Sequence, residues 1–512
     1  MQVAVTLGAL VRATPGARLV TGAATLPISG LTHDSRAVAP GYLFVALPGR
    51  RYDGLAFVAE AVRRGAVAVA SEQPTPTAPV AWVAVPHARR ALADLAAAWH
   101  GWPAERLRLI GVTGTDGKTT TTRLIGTLLE AGGQPCGWYT TAELKVGEAT
   151  LPNSERHTTP EADRVQAVLA QFVASGARYA VLEASSHALA QERLRACTFD
   201  IAVFTNLSPE HLDYHGSLAA YLDAKARLFR MLGEASSKTA PRYAVLNRDD
   251  PASETLRAQC PAPVVTYAVA QPADVWAREI AETAEGLRLT VVTGDAAWPL
   301  TTRFLGRHNA ANWLAAVAVA WREGVPVEAI QAAAAAATPP PGRLEPVRCG
   351  QPFQVYVDYA HTPQALAAAL RALRAIATGR VLLAFGHAGG RMAANRPRLG
   401  AVAAQLADYF VITSDDAYPE EPAAIAHAVE AGAREAGAQP GRDYVVCLDR
   451  REAIRHLLAR AAPGDVVLLA GKGHEAFLQL QAVPEPWSDV AVAREILAAL
   501  GYTGAREAAP PA

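Results

Sequence analysis

One twelve-residue run constrains this chain more than any other: Gly111-Val-Thr-Gly-Thr-Asp-Gly-Lys-Thr-Thr-Thr-Thr122. Leu107, Leu109 and Ile110 before it read as a short buried strand. Arg123-Leu-Ile-Gly-Thr-Leu-Leu129 after it reads as the start of a helix. A strand, a glycine-rich turn and a helix form the setting of a phosphate-cradling loop. Gly114 and Gly117 let the backbone N–H groups of the Thr115-Asp116 turn converge on phosphate oxygens, and the helix N-terminus with Thr120 adds a favourable dipole. Lys118 would reach the β- and γ-phosphates and Thr119 would hold Mg²⁺. The spacing departs from the usual pattern in one place, because Val112 stands where its first glycine belongs.

At 512 residues the chain is expected to form roughly three domains. A hydrophobic fraction of 51% with 19% charged residues is that of a packed globular protein. Basic and acidic residues both number 48, so no charge excess points to nucleic acid, and an anionic ligand must be met by local cations. The five cysteines are scattered without C-x-x-C spacing, which fits a reducing cytoplasm better than a disulfide framework or zinc site. The N-terminus lacks the layout of a signal peptide, and the apolar stretch Ala310–Trp321 is too short to span a bilayer. The expectation is a cytoplasmic protein with no membrane insertion.

The alternation of elements predicts an α/β protein in three parts. Residues 1–104 hold strand-like runs at Tyr42–Leu47, Ala66–Ala70 and Ala81–Val85, a loop at Pro74–Pro79 and a helix at Ala88–Trp99. Residues 105–340 alternate strands (Tyr179–Leu182, Ile201–Phe204, Tyr243–Leu246) with helices, which argues for a mostly parallel sheet covered on both faces. The run Pro339-Pro-Pro-Gly342 marks the second boundary. Residues 341–512 alternate again and read as a second doubly wound, Rossmann-like domain, with a frayed Pro/Ala tail. In such sheets ligands collect at the carboxyl ends of the strands, where several polar clusters fall.

Glu183-Ala-Ser-Ser-His187 follows a buried strand. Its carboxylate suits a nucleotide-bound Mg²⁺, and the same residues suit a helix cap. Thr205–Gly216 is dense in polar groups. The His211/His215 spacing is compatible with zinc on a helix, but no cysteine or third histidine is near in sequence, and Gly216 argues for a loop. An oxygen-rich Mg²⁺ site with His211 as auxiliary ligand fits better. Lys225, in an apolar helix, reads by itself as a snorkelling side chain. Beyond the proline hinge, Arg343 could reach phosphate on domain closure, and Asp358 could hold a ribose hydroxyl. The turns Phe385–Arg391 and Ala470–Glu475 complete a rim of strand-end motifs.

Taken together, these residues resemble the Mur ligases, the ATP-dependent amide-forming enzymes of peptidoglycan precursor synthesis, and within them the MurE type that adds the third peptide residue. The matching runs are His33–Arg36 with Leu43–Gly49, the phosphate loop, Thr158–Glu161, Glu183–Leu189, Asn206–Gly216, Ala224–Phe229, Gly306–Asn312, Gly342–Glu345, Asp358–Pro363 and Gly471–Glu475. They span all three segments in family order.

The resemblance implies an N-terminal UDP-MurNAc domain, a central ATP-binding domain and a C-terminal domain for the incoming amino acid. It implies ATP and Mg²⁺ as cofactors, and UDP-MurNAc-L-Ala-D-Glu plus a free diamino acid as partners of a monomeric enzyme. It assigns catalysis to Lys118, Glu183, His211 and Lys225. Lys225 matches a lysine that is carbamylated in the family, a carboxylate-like metal ligand beside Thr119, Glu183 and His211, and this reverses the snorkelling reading. His308, Asn309, Asn312, Arg343 and Asp358 fall on nucleotide-side positions. His33, Ser35, Thr158, Thr159, Ser185, Gln191 and Arg193 fall on UDP-MurNAc-dipeptide positions. His157 stands where Asn is usual.

Arg391, Asp415, Asp416, Tyr418, Gly471 and Glu475 fall on the amino-acid side. Here the chain departs from its relatives. Enzymes of the type that use meso-diaminopimelate carry Asp-Asn-Pro-Arg, whereas this chain has Asp415-Asp-Ala-Tyr418. Tyrosine offers no bidentate cation for a second carboxylate. The extra acidic charge suits a side-chain ammonium, so L-lysine or L-ornithine is expected, with meso-diaminopimelate as the alternative. Two rival readings are a folylpolyglutamate synthase-like ligase and a non-catalytic nucleotide switch. The His33–Arg36 segment disfavours the first, and the set Lys118, Glu183, His211 and Lys225 disfavours the second.

Overall fold

The computed structural model describes residues 5–49, 53–73, 78–153, 155, 157–480 and 483–504. Most of the Pro74–Pro79 segment and the Pro/Ala tail lie outside them.

Three sheets carry the architecture. The first has five strands in the order Arg18–Thr21, Ala81–Ala84, Ala66–Ser71, Tyr42–Val45, Gly30–Thr32. The helix Ala88–Trp99 closes one face, with Leu92 and Leu95 in one cluster with Leu43, Val45 and Val83.

The central sheet has eleven strands. Its middle is parallel: Val264–Ala268, Tyr243–Asn247, Ile201–Phe204, Arg108–Thr113, Tyr179–Glu183 and Cys136–Tyr139. These strands are almost wholly buried, as expected where helices cover both faces. From Arg108–Thr113 the chain passes to one side for Cys136–Tyr139 and Tyr179–Glu183, then to the other for Ile201–Phe204. The crevice therefore opens at the carboxyl end of Arg108–Thr113, at the phosphate loop.

Both flanks of this sheet are antiparallel: Val275–Thr283, Gly286–Thr293 and Ala296–Thr302 at one edge, Glu143–Val146 and Ala149–Pro152 at the other. The parallel expectation covers only the middle. Gly286–Thr293 and Ala296–Thr302 largely alternate buried positions with more exposed ones, the half-buried pattern of hairpins.

The third sheet runs Glu345–Pro346, Gln354–Asp358, Val466–Ala470, Val381–Phe385, Tyr409–Ile412, Tyr444–Val446, all parallel except the first pair. Among the described residues no helix is long and apolar enough to cross a membrane.

Two local expectations change. The helix after the phosphate loop begins at Lys118, so Lys118–Thr122 forms its first turns. Gly117 (φ +82°) makes the turn and leaves Lys118 free to start the helix. The segment after His211 is a one-turn helix, Leu212–His215, which Gly216 (φ +78°) ends.

Candidate active site

The phosphate loop is a tightly tied turn. Thr115 N donates to Asn206 O at 2.8 Å and Asp116 N to Asn206 Oδ1 at 2.9 Å, so the Thr205–Asn206 strand end shapes the loop. Thr205 Oγ1 and Asn206 Nδ2 donate back to Asp116 O. Gly114 (φ +153°) packs so close to Thr205 that a Cβ would lie 1.8 Å from Oγ1. Lys118 Nζ turns onto the loop's own carbonyls, 2.7 Å from Thr115 O and 3.1 Å from Gly114 O. Burial pulls its pKa down, against Glu183 and Asp116. Burial raises the Asp116 carboxyl.

Glu183 is buried at the end of its strand. It accepts from Thr119 Oγ1 at 2.9 Å and from Thr141 N at 2.7 Å. Thr159 Oγ1 donates to Glu183 O at 2.6 Å and accepts from Ser185 N, and Ser185 caps the next short helix. The capping reading of this segment therefore holds for Ser185, while Glu183 faces the phosphate loop.

Lys225 is 1% exposed, with Nζ 2.6 Å from Gly114 O and 4.2 Å above the Tyr221 ring. Burial, then Lys118, drives its pKa well below the usual lysine value. His211 adopts φ +56° and meets His187 edge-on at 4.6 Å. Burial, with His187, Lys118, Arg391 and Lys225 facing it, pushes its pKa down to about 2. His215 is spent on Ser186 Oγ at 3.1 Å.

The C-terminal sheet reaches into this site. Arg343 Nη2 donates to Thr119 Oγ1 at 3.1 Å, and its guanidinium lies 4.8 Å over the Tyr359 ring. Asp358 accepts from Leu344 N and Ala360 N, both at 2.7 Å, and so fixes the backbone beside Arg343. Burial raises its pKa to about 6. Asn395 Nδ2 donates to Glu210 Oε2 at 3.2 Å across the same cleft.

Other expected nucleotide-side residues sit beneath the loop. Asn312 Oδ1 accepts from Thr121 Oγ1 and would be 2.4 Å from a Cβ on Gly117, while its Nδ2 donates to Asn309 Oδ1. Asn309 Nδ2 donates in turn to Leu305 O. Both asparagines brace the loop, and His308 is exposed in the first turn of their helix. Thr120 is buried within the phosphate-loop helix.

The dipeptide-side residues line the seam between the first and second sheets. His33 bonds Asp163 Oδ2 through both its N–H and Nδ1, the ring contact at 2.9 Å, and Ser35 Oγ donates to Glu60 at 3.1 Å. Arg193 donates to Gln191 Oε1 and Thr159 O, and pairs with Glu161, which also meets Arg89. Thr158 lies half-buried beside them.

The amino-acid side forms a charged pocket. Lys472 is fully buried, 2.9 Å from Asp416, 2.6 Å from Glu475 and 3.8 Å from Asp415. The three carboxylates lie close enough to one another to hold a metal ion, yet the Lys472 ammonium already serves that cluster. Burial raises Asp415, but Lys472 and Arg450 outweigh it and hold the carboxyl below its usual value. Arg391 Nη2 donates to Tyr359 Oη at 3.2 Å, and Tyr359 Oη to Glu475 Oε1 at 3.3 Å. Tyr418 (φ +51°) directs its hydroxyl to Asp416 Oδ2 at 3.4 Å. A Cβ on Gly471 would lie 2.8 Å from Asp415 Oδ2.

Sequence reasoning passed over Lys472, Thr141, Tyr359, Asn395 and the pair Arg450–Asp489. Arg450 is 1% exposed, grips Asp489 through two hydrogen bonds and donates to Ser414 O and Ala470 O. It thereby ties the strand ends that carry Asp415 and Gly471. Nothing in the local sequence marks it, because its partners come from three distant segments.

Fold and site together define a three-domain α/β enzyme built around a phosphate loop. Models of known families match in the same order. Residues 27–100 match the Mur ligase family catalytic domain, 112–320 the Mur ligase middle domain, and 342–473 the Mur ligase glutamate ligase domain. The UDP-N-acetylmuramyl-tripeptide synthetase of Roseiflexus sp. (strain RS-1) is 46% identical over 487 residues, 93% of this chain and 96% of that protein. The UDP-N-acetylmuramoyl-L-alanyl-D-glutamate–2,6-diaminopimelate ligase of Geobacillus kaustophilus (strain HTA426) is 42% identical over 467 residues, 91% of this chain and 94% of that protein. A solved UDP-N-acetylmuramoyl-L-alanyl-D-glutamate–2,6-diaminopimelate ligase superposes with TM-score 0.66 at 31% identity, covering 98% of this chain and 100% of that one.

The chain belongs to the Mur ligase family, ATP-dependent and ADP-forming ligases that work with Mg²⁺. The residues present fit those cofactors. Gly114 and Gly117 leave no room for a Cβ, two lysines meet at one loop carbonyl, and a buried carboxylate faces Thr119.

Proposed function

We propose that this enzyme joins a diamino acid to the γ-carboxyl of D-Glu in UDP-MurNAc-L-Ala-D-Glu, within peptidoglycan precursor synthesis. The observation that carries this reading is the meeting, across one cleft, of the phosphate loop, Arg343 and the Arg391–Glu475–Lys472 pocket. The γ-carboxylate attacks the γ-phosphorus of ATP, giving an acyl phosphate and ADP. The amine then attacks the acyl carbon, and phosphate leaves with the bonding electrons.

Lys118 and Arg343 meet the phosphate charge, where fixed cations in a closed site act most strongly. Thr119, Glu183, His211 and a carbamylated Lys225 would hold Mg²⁺, which supplies further charge neutralisation when bound. Burial drives the Lys225 amine toward its uncharged form, the form that adds to CO₂ with loss of one proton to give a carbamate. His33, Ser35, Thr158, Thr159, Ser185, Gln191 and Arg193 receive the UDP-MurNAc-dipeptide; Arg193 is the cation among them for its carboxylates.

Arg391 takes the α-carboxylate of the incoming amino acid. Asp415, Asp416 and Glu475 outnumber the single ammonium of Lys472, and Tyr418 brings a phenol where a second substrate carboxylate needs a guanidinium. This favours L-lysine or L-ornithine. The Geobacillus relative, named for 2,6-diaminopimelate, keeps meso-diaminopimelate as the second reading. The enzyme is read as a monomer, and five free cysteines suit the cytoplasm. The test is phosphate release with UDP-MurNAc-L-Ala-D-Glu and each of the three amino acids. A kcat/KM highest for meso-diaminopimelate would reverse the amino-acid assignment, and no release with any of them would reject the reaction.

A further inference from the structure

His361 follows the strand Gln354–Asp358 and stands in the cleft between the C-terminal and central sheets. Its ring Nδ1 lies 2.7 Å from Tyr359 O. A carbonyl oxygen can only accept, so Nδ1 carries a proton, and in the uncharged ring Nε2 keeps its lone pair. The ring packs edge-on against Tyr359, with centroids 4.6 Å apart at 63°, which fixes its plane. Among the described residues no hydrogen bond engages Nε2.

The groups facing this imidazole are the guanidiniums of Arg391 and Arg343 and the ring of His211, each from a different segment. An imidazole of ordinary pKa, about 6.5, is already largely uncharged above neutral pH. Arg343 marks the phosphate end of the cleft through Thr119, and Arg391 marks the amino-acid end beside Tyr359 and Glu475. His361 is thus a neutral, orientated proton acceptor between the two ends.

We propose that His361 Nε2 accepts the proton of the incoming α-ammonium, which makes the amine nucleophilic. The proposal rests on the function above, with Arg391 on the α-carboxylate. The N–H bond breaks toward Nε2 and gives an imidazolium. The freed lone pair of the amine forms the C–N bond at the acyl carbon, and the C–O bond to phosphate breaks on collapse. The second amine proton leaves with the phosphate. The fixed tautomer is the same device that orientates a histidine base in acyl transfer.

The test pairs two nucleophiles: the preferred diamino acid, which arrives as an ammonium, and hydroxylamine, which is already uncharged at assay pH. With UDP-MurNAc-dipeptide and ATP, His361→Gln and His361→Asn are expected to lose about 100-fold or more in kcat with the diamino acid. Both should form the hydroxamate at close to the wild-type rate, with KM for ATP unchanged. Equal losses with both nucleophiles, or no loss with the diamino acid, would overturn the role of His361 and leave the ligase reading intact. A wild-type enzyme inert toward every diamino acid would overturn the ligase reading itself.

Discussion

Lys118 and Lys225 donate to the same atom, the carbonyl oxygen of Gly114, at 3.1 and 2.6 Å. Two buried ammonium groups on one carbonyl are electrostatically unfavourable, and Lys225, the more deeply enclosed, is the one driven toward its neutral form. A carbamate on Lys225 would turn this repulsion into attraction, since Lys118 would then face an anion.

Lys225→Ala should lower kcat by at least about 100-fold, because it removes a carboxylate ligand that no neighbour replaces. Steady-state phosphate release measures this. In wild type, ¹³C-bicarbonate should give a carbamate resonance that the variant lacks. Full activity in Lys225→Ala would remove the carbamate from the mechanism.

Arg343 joins the C-terminal part to the phosphate loop through Thr119. A hydrogen bond to a charged group contributes about 2 kcal/mol. Arg343→Ala should therefore lower kcat/KM for ATP by roughly 30-fold. Arg343→Lys should recover little, because an ammonium cannot reproduce the planar stack on Tyr359. An unchanged ATP dependence in Arg343→Ala would count against this contact in the closed enzyme.

Tyr418→Arg should shift the ratio of kcat/KM for meso-diaminopimelate over L-lysine upward by about tenfold or more, since it places a guanidinium where the second carboxylate would arrive. The three-amino-acid panel reads this directly. A ratio that stays put would place selectivity elsewhere in the pocket.

His33 and Asp163 tie the first sheet's region to the central one. Burial alone would lower the His33 pKa, but the hydrogen bond and charge of Asp163 outweigh it and the net shift is upward. A raised histidine stabilises the folded state fully below its unfolded pKa of about 6.5, and that contribution is lost as pH rises through the folded value. The melting-temperature advantage of wild type over Asp163→Asn should therefore be present near pH 6 and shrink by pH 8.5. A constant difference over that range would mean that His33 is not charged in this contact.

Much of the fold is legible in the chain because parallel strands buried on both faces read as short continuous apolar runs. Ile201–Phe204, Val381–Phe385, Tyr409–Ile412 and Val466–Ala470 have the expected limits. The antiparallel flanks Val275–Thr302 were not, since half-buried alternation is a weaker signal than an apolar run. Lys225 shows the limit at the site. From the residues alone it is an unremarkable lysine on an apolar helix face. Its meaning depends on Gly114, 111 positions away.

The sequence by itself determined the phosphate loop, the order of three α/β parts and the types of residue that end each strand. Those follow from local rules: glycine where φ is positive, apolar runs where both faces are covered, polar groups at strand ends. The tertiary structure decided the pairings. Lys472 sits among three carboxylates, Arg450 ties two strand ends, Arg343 reaches Thr119, and Tyr359 O fixes the His361 tautomer. Charge neutralisation and proton placement depend on distances of a few ångströms between segments far apart in the chain, and only the folded packing of the sheets sets those.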